Sequence, residues 1–84
     1  MIRVAFSPEA AQHLAGLPRP IQQRIARIIE RLRKWPDTSG AKPLSGKLAG
    51  HWRIPTGDYR LQFRVGPDKI TIEKIGHRDR FYED

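Results

Sequence analysis

Seven consecutive residues constrain this chain more than any others. From Tyr59 to Val65, apolar Tyr59, Leu61, Phe63 and Val65 alternate with polar Arg60, Gln62 and Arg64. A period of two sustained this long belongs to a β-strand with one face on a core and the other in water. Such a strand needs neighbours, and the flanking sequence offers them. Trp52 and Ile54 alternate with His51 and Arg53 on one side. On the other, the turn residues Gly66-Pro67-Asp68 lead into Ile70-Thr71-Ile72. At the start of the chain, Ile2, Val4 and Phe6 alternate with Arg3 and Ala5 and predict one more strand.

Between that first strand and the rest, the period changes to the helical one. Ser7-Pro8-Glu9 is a helix start, with Ser as N-cap, Pro in the first helical position and Glu at the positive end of the dipole. Ala10, Leu14 and Leu17 follow at helical spacing, until Gly16 and Pro18 end the segment. A second helix carries Ile21, Ile25, Ile28 and Leu32 as one apolar stripe and stops at Pro36. The very short connection predicts an antiparallel helical hairpin. Residues from Pro36 to Gly50 read as a loop rich in Gly, Pro and Ser. The predicted order is β-α-α-β-β-β, an α+β domain with the helices on one face of a small, mainly antiparallel sheet.

A chain of 84 residues is one domain, spanning 1–84. There is no cysteine to form disulfides or thiolate metal sites, and no grouping of Asp, Glu and His resembles a metal site. No P-loop or dinucleotide fingerprint is present either, so neither metal nor cofactor is expected. No apolar run makes a signal peptide or reaches the ~18 residues of a membrane span, and the expected location is the cytoplasm, away from membranes.

The formal charge is +7, with a pI near 10.6. Residues 1–50 hold 9 Lys/Arg against 3 Asp/Glu, and residues 51–84 hold 7 against 6. The excess points to a polyanion, RNA first, bound in a salt-sensitive way. Arg24, Arg27 and Arg31, at i, i+3 and i+7, form a basic stripe away from the isoleucines and would face RNA or an acidic partner.

Pairing the second and third strands with Ile54 opposite Tyr59 and Trp52 opposite Leu61 leaves Pro55-Thr56-Gly57-Asp58 as the hairpin loop. That register sets Arg53 against Arg60, and His51 against Gln62. Facing like charges are costly in a sheet unless an anion sits between them. A phosphate site carried by Arg53 and Arg60, with Arg64, Arg78 and Arg80 nearby, is therefore expected. Metal-independent cleavage of RNA needs help for the attacking 2′-OH, cations for the phosphorane, and a proton for the leaving oxygen. Arg60 and Arg53 suit the second role, and His77 or Tyr82 the third.

Several short runs together resemble the RelE/ParE toxin superfamily. They are Phe6-Ser7-Pro8-Glu9-Ala10, Leu44-Ser45-Gly46-Lys47-Leu48-Ala49-Gly50-His51-Trp52-Arg53-Ile54, Gly57-Asp58-Tyr59-Arg60-Leu61, Ile75-Gly76-His77-Arg78 and Tyr82. The resemblance implies a microbial RNase-like fold and a toxin of a type II toxin–antitoxin system. In the RelE-like branch, favoured by Gly76-His77-Arg78, it implies an endoribonuclease that cuts mRNA on the translating ribosome. Active-site membership then carries over to Arg60, Arg78 and Tyr82, and the basic residue of the preceding strand to Arg53. The arginines would bind the phosphate and its transition state, and Tyr82 would stack on or orient the base. Where the best-known family pattern has a lysine, this chain has Pro55, which leaves proton transfer to His77, His51 or Lys47 as candidates.

Lys47, His51, Arg64, Arg80, Arg24, Arg27 and Arg31 are the remaining expected RNA contacts. Implied partners are a cognate antitoxin, the ribosome and mRNA. The rival readings are a ParE-like inhibitor of DNA gyrase and a non-catalytic RNA-binding relative.

Overall fold

The computed structural model describes residues 2–37 and 40–79. Strand β1 (Arg3–Phe6) leads directly into helix α1 (Pro8–Ala15), and α2 (Arg19–Leu32) follows. A two-residue strand β2 (Lys42–Pro43) and a 3₁₀ turn (Gly46–Leu48) precede three longer strands, β3 (His51–Thr56), β4 (Tyr59–Val65) and β5 (Lys69–His77). The strands form one sheet in the order β1-β5-β4-β3-β2, with β1 parallel to β5 and the other pairs antiparallel. The α+β architecture is the expected one. The segment from Pro36 to Gly50 is more than a loop, because Lys42 and Pro43 pair with Arg53 and Trp52 and add a short edge strand.

The helix starts where its cap chemistry puts it. Ser7 is extended, and its side chain accepts from Ala10 N at 3.0 Å, with Pro8 in the first turn. Helix α2 buries Ile25, Ile28, Ile29 and Leu32 against Ile54, Leu61, Phe63, Ile70, Ile72 and Ile75 of the sheet, with Ala10 of α1 completing the core. Trp52 packs here too. Trp35 meets it edge-on with ring centroids 4.8 Å apart, and meets Phe63 at 5.6 Å, so the two tryptophans close the core at the α2–β3 side.

The β3–β4 hairpin departs from the expected register. Thr56 pairs with Tyr59, Pro55 with Arg60, Ile54 with Leu61, Arg53 with Gln62, Trp52 with Phe63 and His51 with Arg64. Arg53 and Arg60 are therefore not cross-strand neighbours. The cause is the turn. Gly57 takes φ of 60°, so that two residues, Gly57 and Asp58, suffice to reverse the chain where four were expected. Pairing then continues for two more residues, and the direct clash of guanidinium groups is avoided.

Strand β5 is interrupted by a β-bulge. Ile72 pairs with Phe63 but Lys74 with Gln62, leaving Glu73 as the extra residue. On the other edge β1 ends at the Phe6–Ile72 pair, and α1 satisfies the β5 backbone beyond it. Ser7 N donates to Ile72 O at 2.9 Å, Ser7 Oγ to Glu73 O at 3.2 Å, and Ile75 N to His13 Nδ1 at 3.2 Å. The bulge is thus held from the helix side by two polar side chains of the β1–α1 unit.

Candidate functional site

Two groups of polar residues stand out, one around the β3–β4 turn and one on the sheet face away from the helices. At the turn, Arg60 Nη1 donates to the carbonyls of Gly57 and Tyr59, both at 2.9 Å. A guanidinium has five donor hydrogens, and these bonds occupy a single nitrogen. Across from Arg60 lie Pro55 and Gly76, neither of which places a polar side chain against it.

Arg78 follows β5 directly. Its backbone N–H donates to Asp58 O at 2.7 Å, and its Nε lies 3.7 Å from Asp58 Oδ1 and 3.8 Å from Asp79 Oδ1. These carboxylates are well exposed, and ion pairs of that kind hold weakly enough to be exchanged for a phosphate. From the helix side, Arg24 reaches the same turn, since a methyl group added at Gly57 would come within 3.0 Å of its Nη1. His77 packs edge-on against Tyr59, with centroids 5.4 Å apart, and lies 3.5 Å from Asp79.

Arg24, Arg60 and Arg78 thus converge on Gly57-Asp58, next to the Tyr59–His77 pair. Among the described residues, three guanidinium groups meet two exposed carboxylates there, Asp58 and Asp79. The cations are in excess, as a site for a further anion requires, and Arg is the side chain whose planar fork fits phosphate oxygens.

On the outer face, Arg53, Gln62 and Lys74 form one cross-strand row, and His51, Arg64 and Thr71 the next. Glu73 reaches over β4 to His51, with Oε1 2.5 Å from Nδ1, and also accepts from Gln62 Nε2 at 3.4 Å. Among the described residues Glu73 is the one acidic residue in any strand. Sequence reasoning missed it because the expected strand stopped at Ile72 and a bulge leaves no mark in an alternation.

The other expected site residues are dispersed. Lys47 is exposed in the 3₁₀ turn, and Arg27 is exposed on α2. Arg31 lies near the loop after α2, with one guanidinium nitrogen 3.7 Å from where a Cβ would stand on Gly40. The stripe on α2 is therefore two arginines leaning on neighbouring loops with Arg27 between them. Arg80 and Tyr82 lie outside the described residues. Among the described residues no group of three or more His, Cys, Asp or Glu is placed to hold a metal.

Comparison with known proteins bears on the family and the fold. Residues 4–82 match the family model described as the ParE toxin of the type II toxin–antitoxin system parDE. Toxin RelE3 of Methanocaldococcus jannaschii is 28% identical over 85 residues, covering 98% of this chain and 97% of that protein. A chain of the RelBE2 toxin–antitoxin complex from Mycobacterium tuberculosis superimposes with a TM-score of 0.81 at 29% identity, over 92% of this chain and 91% of the other. A chain of the RelB–RelE antitoxin–toxin complex from Methanococcus jannaschii gives 0.79 at 26% identity, over 94% and 95%. With a family model matched along nearly its whole length and a fold shared with RelE complexes, this chain belongs to the RelE/ParE toxin superfamily of type II toxin–antitoxin systems.

Proposed function

We propose that the protein is a metal-independent endoribonuclease that cuts mRNA on the ribosome and is neutralised by a cognate antitoxin. The observation that carries this reading is the convergence of Arg24, Arg60 and Arg78 on the Gly57-Asp58 turn. Attack of a ribose 2′-OH on its own phosphodiester builds a dianionic phosphorane, and fixed cations that meet that charge are typically the largest catalytic contribution. Arg60 and Arg78 are the phosphate ligands in this reading, and His77 and Tyr82 are neighbours of the leaving group and base. Arg53, Arg64, Lys47, Arg27 and Arg31 supply docking charge for ribosomal and messenger RNA. Acting on ribosomes places the protein in the cytoplasm. The antitoxin follows from the relatives, which occur in complexes of toxin with antitoxin.

Primer extension on mRNA from cells briefly induced for the protein tests this. New cuts within translated frames, absent with Arg60→Ala, are the expected result. A second reading, inhibition of DNA gyrase without cleavage, draws on the match to the ParE model. It predicts intact mRNA together with DNA-damage signalling, and that outcome would overturn the nuclease.

A further inference from the structure

The outer face of the sheet carries an arrangement that the arginine cluster does not use. Side chains of three strands are joined there: His51 on β3, Gln62 on β4 and Glu73 in the bulge of β5. Hydrogen-bond polarity fixes what this group offers. A carboxylate only accepts, so His51 Nδ1 and Gln62 Nε2 both donate to Glu73 Oε1, at 2.5 and 3.4 Å. The Gln62 amide is thereby turned with its nitrogen to Glu73, and its oxygen remains an acceptor. Among the described residues neither that oxygen nor Glu73 Oε2 has a hydrogen-bond partner. The His51 and Glu73 side chains are 20% and 25% exposed, so the group is sheltered yet open to a ligand. Two fixed acceptors therefore stand together on a face that also carries Arg53, Arg64 and Lys74.

We propose that Glu73 and Gln62 read a guanine of the bound mRNA, with His51 positioning the carboxylate, an assignment that rests on the nuclease reading above. Phosphates are drawn to the cations of this face and repelled by Glu73, so a strand crossing it turns a donor group toward the acid. Among the RNA bases, guanine is the one whose Watson–Crick edge sets two donors side by side, N1–H and the N2 amino group. Adenine, cytosine and uracil each put an acceptor next to a donor. Arg60 and Arg78 are bonded to the Gly57-Asp58 turn, and Gln62 lies four residues beyond Asp58 on β4, about 13 Å along the strand. An extended single strand covers that distance in roughly two nucleotides. The guanine therefore belongs to a nearby nucleotide and not to the linkage being cut. This accounts for a lone acid amid cations, on a face where RNA backbone alone would favour further positive charge.

The test uses purified full-length protein and ribosomes programmed with an mRNA library randomised on both sides of a cut site, with the cut ends sequenced. The wild type is expected to cut about 10-fold faster where guanine occupies one fixed position of the randomised window. Inosine at that position keeps N1–H but lacks the N2 amino group, and most of the preference should be lost with it. Glu73→Gln puts an amide N–H₂ where Oε2 stood, while its oxygen can still accept from His51 and Gln62. A donor beside the Gln62 oxygen matches an acceptor beside a donor on the base. The preference is therefore expected to move from guanine to adenine or cytosine, a change that a merely structural role would not produce.

Thermal melts accompany the cleavage data. If Glu73→Gln fails to fold, Gln62→Met takes its place; it removes one acceptor of the two at similar volume and should lower the preference for guanine on the same library. An unchanged base preference in the folded variant overturns the reading site and leaves the nuclease standing. Uniform slowing at every sequence also overturns it, because the group then serves docking on the ribosome and not the choice of base. Absence of cleavage by the wild type overturns the nuclease and the reading site together.

Discussion

The two faces of the β-sheet come from the same alternating residues and serve opposite ends. Toward the helices, Leu61, Phe63, Ile70 and Ile72 are wholly buried, and every one can be read as packing. Toward solvent, His51, Arg53, Gln62, Glu73 and Lys74 are all half-buried polar groups. The inner face could exchange one aliphatic for another of similar volume at small cost. On the outer face, Glu73 holds His51 and Gln62 through one oxygen, and a change of a single atom would break it. In the proposed reading stability is drawn from the first face and chemistry from the polar side, and the turn at Gly57-Asp58 is where arginines from both sides meet.

If that division holds, substitutions should separate cleanly. Phe63→Ala, with the most buried volume to lose, should cost about 3–5 kcal/mol in chemical denaturation, and activity should fall only as the folded fraction does. Arg60→Ala should do the reverse, lowering cleavage about 10²–10³-fold while the melting curve barely moves. Retained activity in Arg60→Ala would break the comparison at its functional end. Gly57→Ala sits at the junction. Its φ of 60° strains any L residue, so a loss of about 1–2 kcal/mol is expected in urea melts, with weakened cleavage as the turn shifts under Arg60 and Arg78. The smallest effect should come from Asp68→Ala, which removes an exposed ion pair to Arg3 at 3.6 Å far from both groups. It should change stability by less than about 1 kcal/mol and cleavage not at all.

The sequence showed which residues face inward more readily than which residues meet. Ser7, Pro8 and the isoleucine spacing of α2 were enough for the helices, because capping and periodicity act locally. The hairpin was assigned the wrong partners for a physical reason. A slip of one residue turns every side chain over, but a slip of two leaves each on its own face. Ile54 stays inside and Arg53 outside under either pairing, and only the turn decides between them. The short β2 strand was hidden by Pro43 and by its length. Of the site, Arg60, Arg78 and His77 were singled out from the residues themselves, with the family resemblance adding to the case for Arg60 and Arg78, while Glu73 and the reach of Arg24 to Gly57 depend on contacts between residues distant in sequence.

The extra residue in β5 also bears on how the chain can change length. Ile72 and Ile75 both face the core although three positions separate them, an odd interval that a flat strand would not allow. A strand one residue shorter would offer the same isoleucines to the same partners on β4. The apolar core therefore does not ask for the additional position; apart from the bonds that Ser7 and His13 make to the β5 backbone, its effect falls on the wet surface, where two adjacent side chains stand opposite Gln62. Gain or loss of one residue at this point gives a related sheet a way to acquire or discard an acid beside its histidine with the isoleucines of the core left in place.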